Sequence, residues 1–180
     1  MDIEKQFFAN GTCYTIRIAR HNDAQALSDI RLQIDGETEN LDREKGEGFI
    51  DKAGFERFIQ SDIENEKNLF LVAVVSGKIV GFSRCEGNHL KRFAHKVEFG
   101  VGILQDYWGR GIGKNLLKES IAWADANNIE KMTLHVLETN EKAIRLYEKC
   151  GFQIEGLLQK DKILSDGNYY NTVVMGRFNG

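Results

Sequence analysis

The chain reads as a mixed α/β protein in which helices pack on one sheet, and three observations predict it. Two turn dipeptides, Asn10-Gly11 and Ser76-Gly77, each separate a pair of β-rich runs, the signature of tight hairpins. Apolar residues recur at helical spacing in four other segments. Between these lies a strand-like run, Val97 to Leu104, followed by glycines at 109, 111 and 113 and then at once by an apolar helical pattern.

In order, Ile3 to Phe8 and Thr12 to Ile18 form the first predicted hairpin. Asp23 is placed to cap a helix that carries Leu27, Ile30 and Ile34 on one face. Residues 35–48 are polar, acidic and glycine-containing, and read as a loop. Phe55, Phe58, Ile59 and Ile63 mark a second amphipathic helix. Asn68 to Val75 and Lys78 to Cys85 pair through Ser76-Gly77, and Asn88 to Arg92 is a basic turn leading to the strand Ala94 to Leu104. A helix spans about Gly111 to Asn127, with Ile112, Leu116, Leu117, Ile121, Trp123 and Ala124 as its apolar half. Lys131 to Leu137 alternates as a strand, Asn140 to Cys150 is helical, and Phe152 to Leu164 and Tyr169 to Phe178 close the chain as a hairpin. The predicted order is ββααβββαβαββ, with no internal repeat and no low-complexity linker, so residues 1–180 read as a single domain.

Composition narrows the function classes. Hydrophobic residues at 42% and charged residues at 28% are ordinary for a soluble globular chain. A net charge of −3 offers no electrostatic case for nucleic acid or an anionic membrane. Met1 to Lys5 lacks the basic region and apolar core of a signal peptide, and no apolar run nears the ~18 residues of a membrane span. Cys13, Cys85 and Cys150 are odd in number and scattered, which points to a reducing cytoplasm and to neither a disulfide framework nor a metal site.

Tyr107 to Leu117 (YWGRGIGKNLL) is the stretch that carries chemistry. A glycine turn between a strand and a helix lets backbone N–H groups approach a phosphate, while the helix dipole favours its charge. A Walker loop is excluded because Lys114 stands where its second glycine belongs. The dinucleotide fingerprint is excluded because Gly113 comes one residue early. The stretch does resemble motif A, [QR]-x-x-G-x-[GA], of the GNAT superfamily of N-acetyltransferases, with Trp108 in place of the Gln or Arg. A second stretch, Asn140 to Gly156, resembles GNAT motif B, N-x-x-A-x-x-[LF]-Y-x-x-x-G-F-x-x-x-G, through Asn140, Ala143, Leu146, Tyr147, Gly151, Phe152 and Gly156. Ala143, Leu146, Tyr147 and Cys150 also share one helix face, with Gly151 suited to end it. The likeness runs roughly from Lys96 to Phe178, and within the family it leans toward the branch that acetylates protein N-terminal alanines or polyamines.

The resemblance implies a mostly antiparallel sheet of about seven strands, flanked by about four helices and splayed between the fourth and fifth core strands. It also implies an additional N-terminal hairpin strand. It implies acetyl-CoA as cosubstrate, with no metal, held by the loop residues Gly109, Arg110, Gly111, Ile112, Gly113 and Lys114 and by Asn140. The thioester carbonyl is expected at a backbone N–H of Val101, Gly102 or Ile103, where Gly100 and Gly102 can accommodate a bulge that parts the strands. Tyr147 is the expected acid for the departing thiolate. Strand parity puts Val97, Phe99, Val101 and Ile103 on one face and Glu98, Gly100 and Gly102 on the other. Glu98, a carboxylate on a central strand expected to be buried, is the first candidate base, His135 the second, and water the third. The acidic residues Glu37, Glu39, Asp42, Glu44 and Glu47 lie where the family places its substrate loop and suit a cationic amine. The expected acceptor is a polyamine, a protein N-terminus or an amine-bearing small molecule, with a homodimer left open. The competing reading is a non-catalytic acetyl-CoA-binding sensor, which needs the loop but not Tyr147.

Overall fold

The structure, a computed structural model, describes residues 3–180. Its elements are β1 (Glu4–Ala9), β2 (Thr12–Ile18), α1 (Ala24–Glu37), α2 (Lys52–Glu64), β3 (Leu69–Val75) and β4 (Lys78–Gly87). They continue as β5 (Lys96–Ile103), α3 (Ile112–Ala126), β6 (Lys131–Leu137), α4 (Glu141–Lys149), β7 (Gln153–Ile163) and β8 (Tyr169–Phe178). This is the predicted order. The strands form one sheet in the order β1-β2-β3-β4-β5-β6-β8-β7. It has eight strands where about seven were expected, because the N-terminal hairpin adds β1 to the edge of the same sheet.

Both short hairpins turn as their dipeptides require: Asn10 and Gly11 have φ of 47° and 75°, and Ser76 and Gly77 have 47° and 79°. Each sheet face has its own core. On one face Ile112, Leu116, Leu117 and Trp123 of α3 pack on Leu71, Ala73, Val97 and Phe99. On the other, Leu27 and Ile30 of α1 and Phe55 and Ile59 of α2 cover Phe70 and Val72. Asp23 departs from its expected role. Its carboxylate binds both guanidinium nitrogens of Arg17, at 2.7 and 2.8 Å, and the backbone N–H of Arg20, so no side-chain cap reaches α1.

All neighbouring strands are antiparallel except β5 and β6, which are parallel and pair only at Lys96–Lys131, Val97–Met132 and Glu98–Thr133. Beyond Glu98 the two strands part, between the fourth and fifth strands counted from β2. The expected bulge is absent, since β4 and β5 stay in unbroken register from Gly87–Val97 to Gly81–Ile103. The gap opens because β6 turns away while β5 stays on β4.

One polar cluster holds α2 to the strands beside this gap. Asp62, buried at the end of α2, accepts from Arg84 Nε and Nη2 at 2.6 and 2.8 Å and from Asn68 Nδ2 at 2.7 Å. Asn68 in turn accepts from the Gly87 N–H. Asp62→Ala leaves Arg84 with only the exposed Glu86 as its carboxylate partner and the Asn68 Nδ2 without its acceptor. The substitution is expected to cost about 3 kcal/mol, or roughly 6–12 °C in Tm, read by calorimetry. An unchanged Tm would show that α2 is held by its apolar face alone.

Candidate active site

The gap between β5 and β6 organises the polar groups around it. The Leu104 N–H donates to the Val80 carbonyl, which makes 104–80 a hydrogen-bonded pair of the antiparallel ladder. By the alternation of such pairs, Gly100 and Gly102 turn their N–H and C=O toward β4. Phe99, Val101 and Ile103 turn theirs the other way, into the gap. Of the expected residues, Val101 therefore has both backbone groups free there and Ile103 only its N–H, since its carbonyl accepts from Trp108 Nε1 at 2.8 Å; Gly102 has neither. A Cβ at Gly100 would meet nothing within 4 Å, so the sheet surface beside that edge is open.

At the end of β5 the chain makes a short 3-10 turn, Gln105–Tyr107, and enters the glycine loop. Gly109 and Gly111 have φ of 74° and 78°, and Gly111 is the residue that starts α3. The first helical hydrogen bond runs from the Asn115 N–H to the Gly111 carbonyl, leaving the N–H groups of Gly111, Ile112, Gly113 and Lys114 unpaired at the positive end of a fifteen-residue helix. A Cβ at Gly109 would meet nothing within 4 Å. The amides and the open space suit a phosphate. Lys114 is exposed in the first turn. Arg110 is committed elsewhere: its guanidinium donates to the Asp106 carbonyl and to Thr12 Oγ1 and lies over the Tyr107 ring.

The N-terminal hairpin braces this loop, a link that nothing in the sequence signalled. Asn10, read only as a turn residue, donates through Nδ2 to the Gly109 carbonyl at 2.6 Å. Tyr14 accepts from Asn115 Nδ2 at 2.7 Å, and Ala9 lies close enough that a Cβ at Gly111 would stand 3.1 Å from it. The extra strand is thus part of the loop's support.

Tyr147 and the two candidate bases lie on opposite faces of the sheet. Tyr147, on α4, packs edge-on against Phe99 and beside Phe152 within the core that α3 covers. Burial pushes its hydroxyl up to about 12, so it stays protonated throughout the neutral range. That hydroxyl has no hydrogen-bond partner among the described residues. It is also not among the sealed polar atoms, of which Thr172 Oγ1 is the one found there. The ring is buried and the tip is reachable. Asn140 starts α4, its Oδ1 accepting from the Ala143 N–H at 3.4 Å, which leaves its Nδ2 uncommitted. Cys150 packs at the edge of the same core.

On the other face, Glu98 Oε1 and His135 Nδ1 are 3.3 Å apart. The sequence treated them as alternatives, but they form a pair across the parting strands. Glu98 is not buried as expected; its side chain is 63% exposed, because α1 and α2 do not reach over the start of β5.

At the open end of the gap lies a cavity of about 470 Å³. Asp35, Glu37 and Glu39 form one wall, and Trp108, Leu137 and Leu164 form the rest of the mouth. The acidic stretch is more ordered than a solvated loop. Asp35 and Glu37 belong to the last turn of α1. Asp35 pairs with Arg43, and Asp42 with Lys162 on β7. Glu37 accepts from the Gln105 N–H at 2.7 Å, Glu39 from the Ser165 N–H at 2.8 Å, and Glu47 from the Glu44 N–H. The segment therefore straps the end of α1 to the β7–β8 turn across the gap. Among the described residues no group of His, Cys, Asp and Glu is placed to hold a metal ion, and no helix is long and apolar enough to cross a membrane.

Known proteins resemble this chain in sequence and in fold. An L-amino acid N-acetyltransferase of Escherichia coli is 32% identical over 59% of the chain and 66% of its own length. A spermidine N(1)-acetyltransferase of Vibrio cholerae is 31% identical over 59% of the chain and 60% of its own length. The chain thus spans less than two thirds of each of these relatives. A GNAT-family acetyltransferase from Streptococcus pneumoniae superposes with a TM-score of 0.89 at 28% identity, over 92% of this chain and 99% of that one.

The brace on the glycine loop can be measured directly. Asn10→Gly keeps the left-handed turn and removes one neutral hydrogen bond, worth about 1 kcal/mol. Amide exchange at residues 109–113 is expected to quicken by roughly fivefold while exchange in the strands is unchanged. Equal exchange in both proteins would mean that the hairpin merely lies beside the loop. The acetyltransferase (GNAT) profile matches residues 36–152, from the end of α1 through the glycine loop to the close of α4, and the chain belongs to the GNAT acetyltransferase family.

Proposed function

We propose that the protein is an N-acetyltransferase that moves the acetyl group of acetyl-CoA directly to a primary amine. One observation carries the reading: a reachable, protonated phenol and a carboxylate–imidazole pair lie on opposite faces of one sheet, at the place where its two parallel strands part. Direct transfer needs an acid for the thiolate on one side and a base for the amine on the other, with the thioester between them.

Acetyl-CoA supplies the activated acyl group and the leaving thiolate. The unpaired amides of residues 111–114 and the α3 dipole hold its pyrophosphate, Lys114 adds positive charge, and Asn140 Nδ2 is free to meet its arm. The gap-facing N–H and C=O of Val101 and the N–H of Ile103 receive the arm's amides and carbonyl as a strand edge receives a partner. An N–H there stabilises negative charge on the carbonyl oxygen as attack proceeds. The amine approaches from the face of α1 and α2. As the C–N bond forms and the C–S bond breaks, the amine's proton passes to the Glu98–His135 pair and Tyr147 donates to the thiolate. Glu98 holds the imidazole by its Nδ1, which leaves Nε2 free to act as the base. The acidic cavity wall favours an amine that arrives as a cation, and three unpaired cysteines suit a cytoplasmic protein.

Purified protein given acetyl-CoA and a panel of amines, with free thiol as the readout, tests the activity. Thiol release that depends on an amine is expected; none with any amine class would favour the non-catalytic sensor. Glu98→Gln should lower kcat by ~10²-fold. If the pair acts as a unit, adding His135→Gln should cost little more than the worse single change. Wild-type turnover in Glu98→Gln would remove that residue from the mechanism.

Tyr147→Phe keeps the ring packing against Phe99 and Phe152 and removes only the donor. It should lower kcat and kcat/KM together by about 10–10³-fold with acetyl-CoA affinity intact. Near-normal kcat, with chemistry shown to limit the rate, would make Tyr147 a core residue only.

A further inference from the structure

Trp108 is large and apolar, yet 45% exposed, and the chemistry above gives it no part. It is not a loose surface side chain. Its indole N–H donates to the Ile103 carbonyl at 2.8 Å. By the alternation along β5 that carbonyl points into the gap, where β6 has already turned away. The ring itself lines the open end of the gap, so it covers the carbonyl as well as bonding it. The indole thus occupies one position of the same backbone edge that an extended partner would use.

A strand edge repeats. Equivalent sets of donor and acceptor recur at every second residue, roughly 7 Å apart, so a chain laid on the edge can settle one repeat from its proper place. Between protein strands, alternating side chains and turns exclude that slip. The pantetheine arm of acetyl-CoA has amides but no alternating side chains to fix a register. With the Ile103 carbonyl open, Val101 and Ile103 would each offer a full N–H and C=O, and the arm could take either. The two placements are not equivalent for the reaction. Val101 is next to the last pair of β5 with β6, at Glu98, and two residues from Phe99, on which Tyr147 packs. Ile103 is one repeat farther from the phenol and from the Glu98–His135 pair.

We infer that Trp108 is a positioning residue that fixes the register of the cosubstrate's arm by occupying the Ile103 carbonyl. The arm leaves the glycine loop and runs down the edge of β5 toward Tyr147. Its amide N–H groups find the Ile103 carbonyl taken and meet their first open acceptor at Val101. The thioester then comes to rest beside the phenol and not one repeat short of it. The exposed ring face fits this role, since the fold uses the indole N–H and its place in the gap, not its burial. The inference rests on the acetyl-transfer reading above for what the arm carries, but not for where the indole bonds.

The test uses the intact, isotope-labelled protein titrated with acetyl-CoA, together with turnover on the amine of the panel that reacts best. Trp108→Phe keeps a ring and removes the donor, which opens the Ile103 carbonyl; Trp108→Gln keeps an N–H donor and removes the ring. In the wild type the amide resonances of Val101 and Ile103 should both move on saturation with acetyl-CoA. In Trp108→Phe the Val101 shift should shrink to less than roughly half while the Ile103 shift persists, because part of the bound arm stops one repeat short. An added unproductive placement tightens binding and lowers turnover by the same factor. Both kcat and KM for acetyl-CoA should therefore fall by about three- to tenfold, as one hydrogen bond allows, with kcat/KM changed by less than about twofold. Trp108→Gln should keep the wild-type shifts and kinetics. A glycine loop that had only lost a brace would instead raise KM and leave kcat and the Val101 shift in place, and that result in Trp108→Phe would overturn the proposal. A Phe variant that matches the wild type would also overturn it, as would a Gln variant that loses the Val101 shift. If no amine reacts, the acetyl-transfer reading fails, while the amide shifts still decide the register.

Discussion

The structure depends on a pairing that stops early. β5 and β6 share three residue pairs and then part, although both continue as strands with other partners. A parallel pair has no short turn joining it; its connection here is the glycine loop and the whole of α3. That crossover seats α3 on one face of the sheet, with its N-terminus at the end where the strands diverge. The unpaired helix amides and the unpaired edge of β5 therefore open onto the same place. Buried backbone polar groups left unsatisfied are costly, so an edge of this kind in the middle of a sheet is sustained by a ligand or by water.

The two faces of the sheet then take different roles. The α3–α4 face is closed and apolar, and it holds Tyr147 as a neutral phenol. The α1–α2 face is covered over β3 and β4 but bare over the start of β5 and β6, where Glu98 and His135 stand exposed. A proton donor that must stay neutral benefits from the first setting. A base that must exchange its proton with water each cycle benefits from the second. Phe99 and Glu98 are adjacent on one strand, so strand alternation alone assigns their neighbours to opposite faces.

The glycine loop is supported from outside the family motifs. Asn10, Thr12 and Tyr14 of the first hairpin each hold a group of the loop or of the first turn of α3. Across the gap, the segment after α1 is tied to the β7–β8 turn by Glu39 and Asp42 and to the end of β5 by Glu37. The mouth of the gap is thus framed on both sides by segments whose own sequences are polar and turn-like. Beyond the ends of β1, β2 and α1, these long-range bonds hold both segments in place.

Local chemistry determined much of this protein. Apolar period, turn dipeptides and glycine position are properties of neighbouring residues, and they were enough for the element order, the two tight hairpins, the strand–loop–helix unit and the face of β5 that carries Glu98. The relation of distant segments was decided only in the tertiary structure. The absence of a bulge, the exposure of Glu98, its pairing with His135, the commitment of Arg110 to the first hairpin and the bracing role of Asn10 all depend on which backbone passes which. A hydrogen bond between residues 10 and 109, or an ion pair between 42 and 162, leaves no periodicity in either segment. The directions in which Val101, Gly102 and Ile103 point their amides needed the register of β4 against β5. A strand's pleat alternates in any register, but only its partner determines which half of that alternation is already bonded.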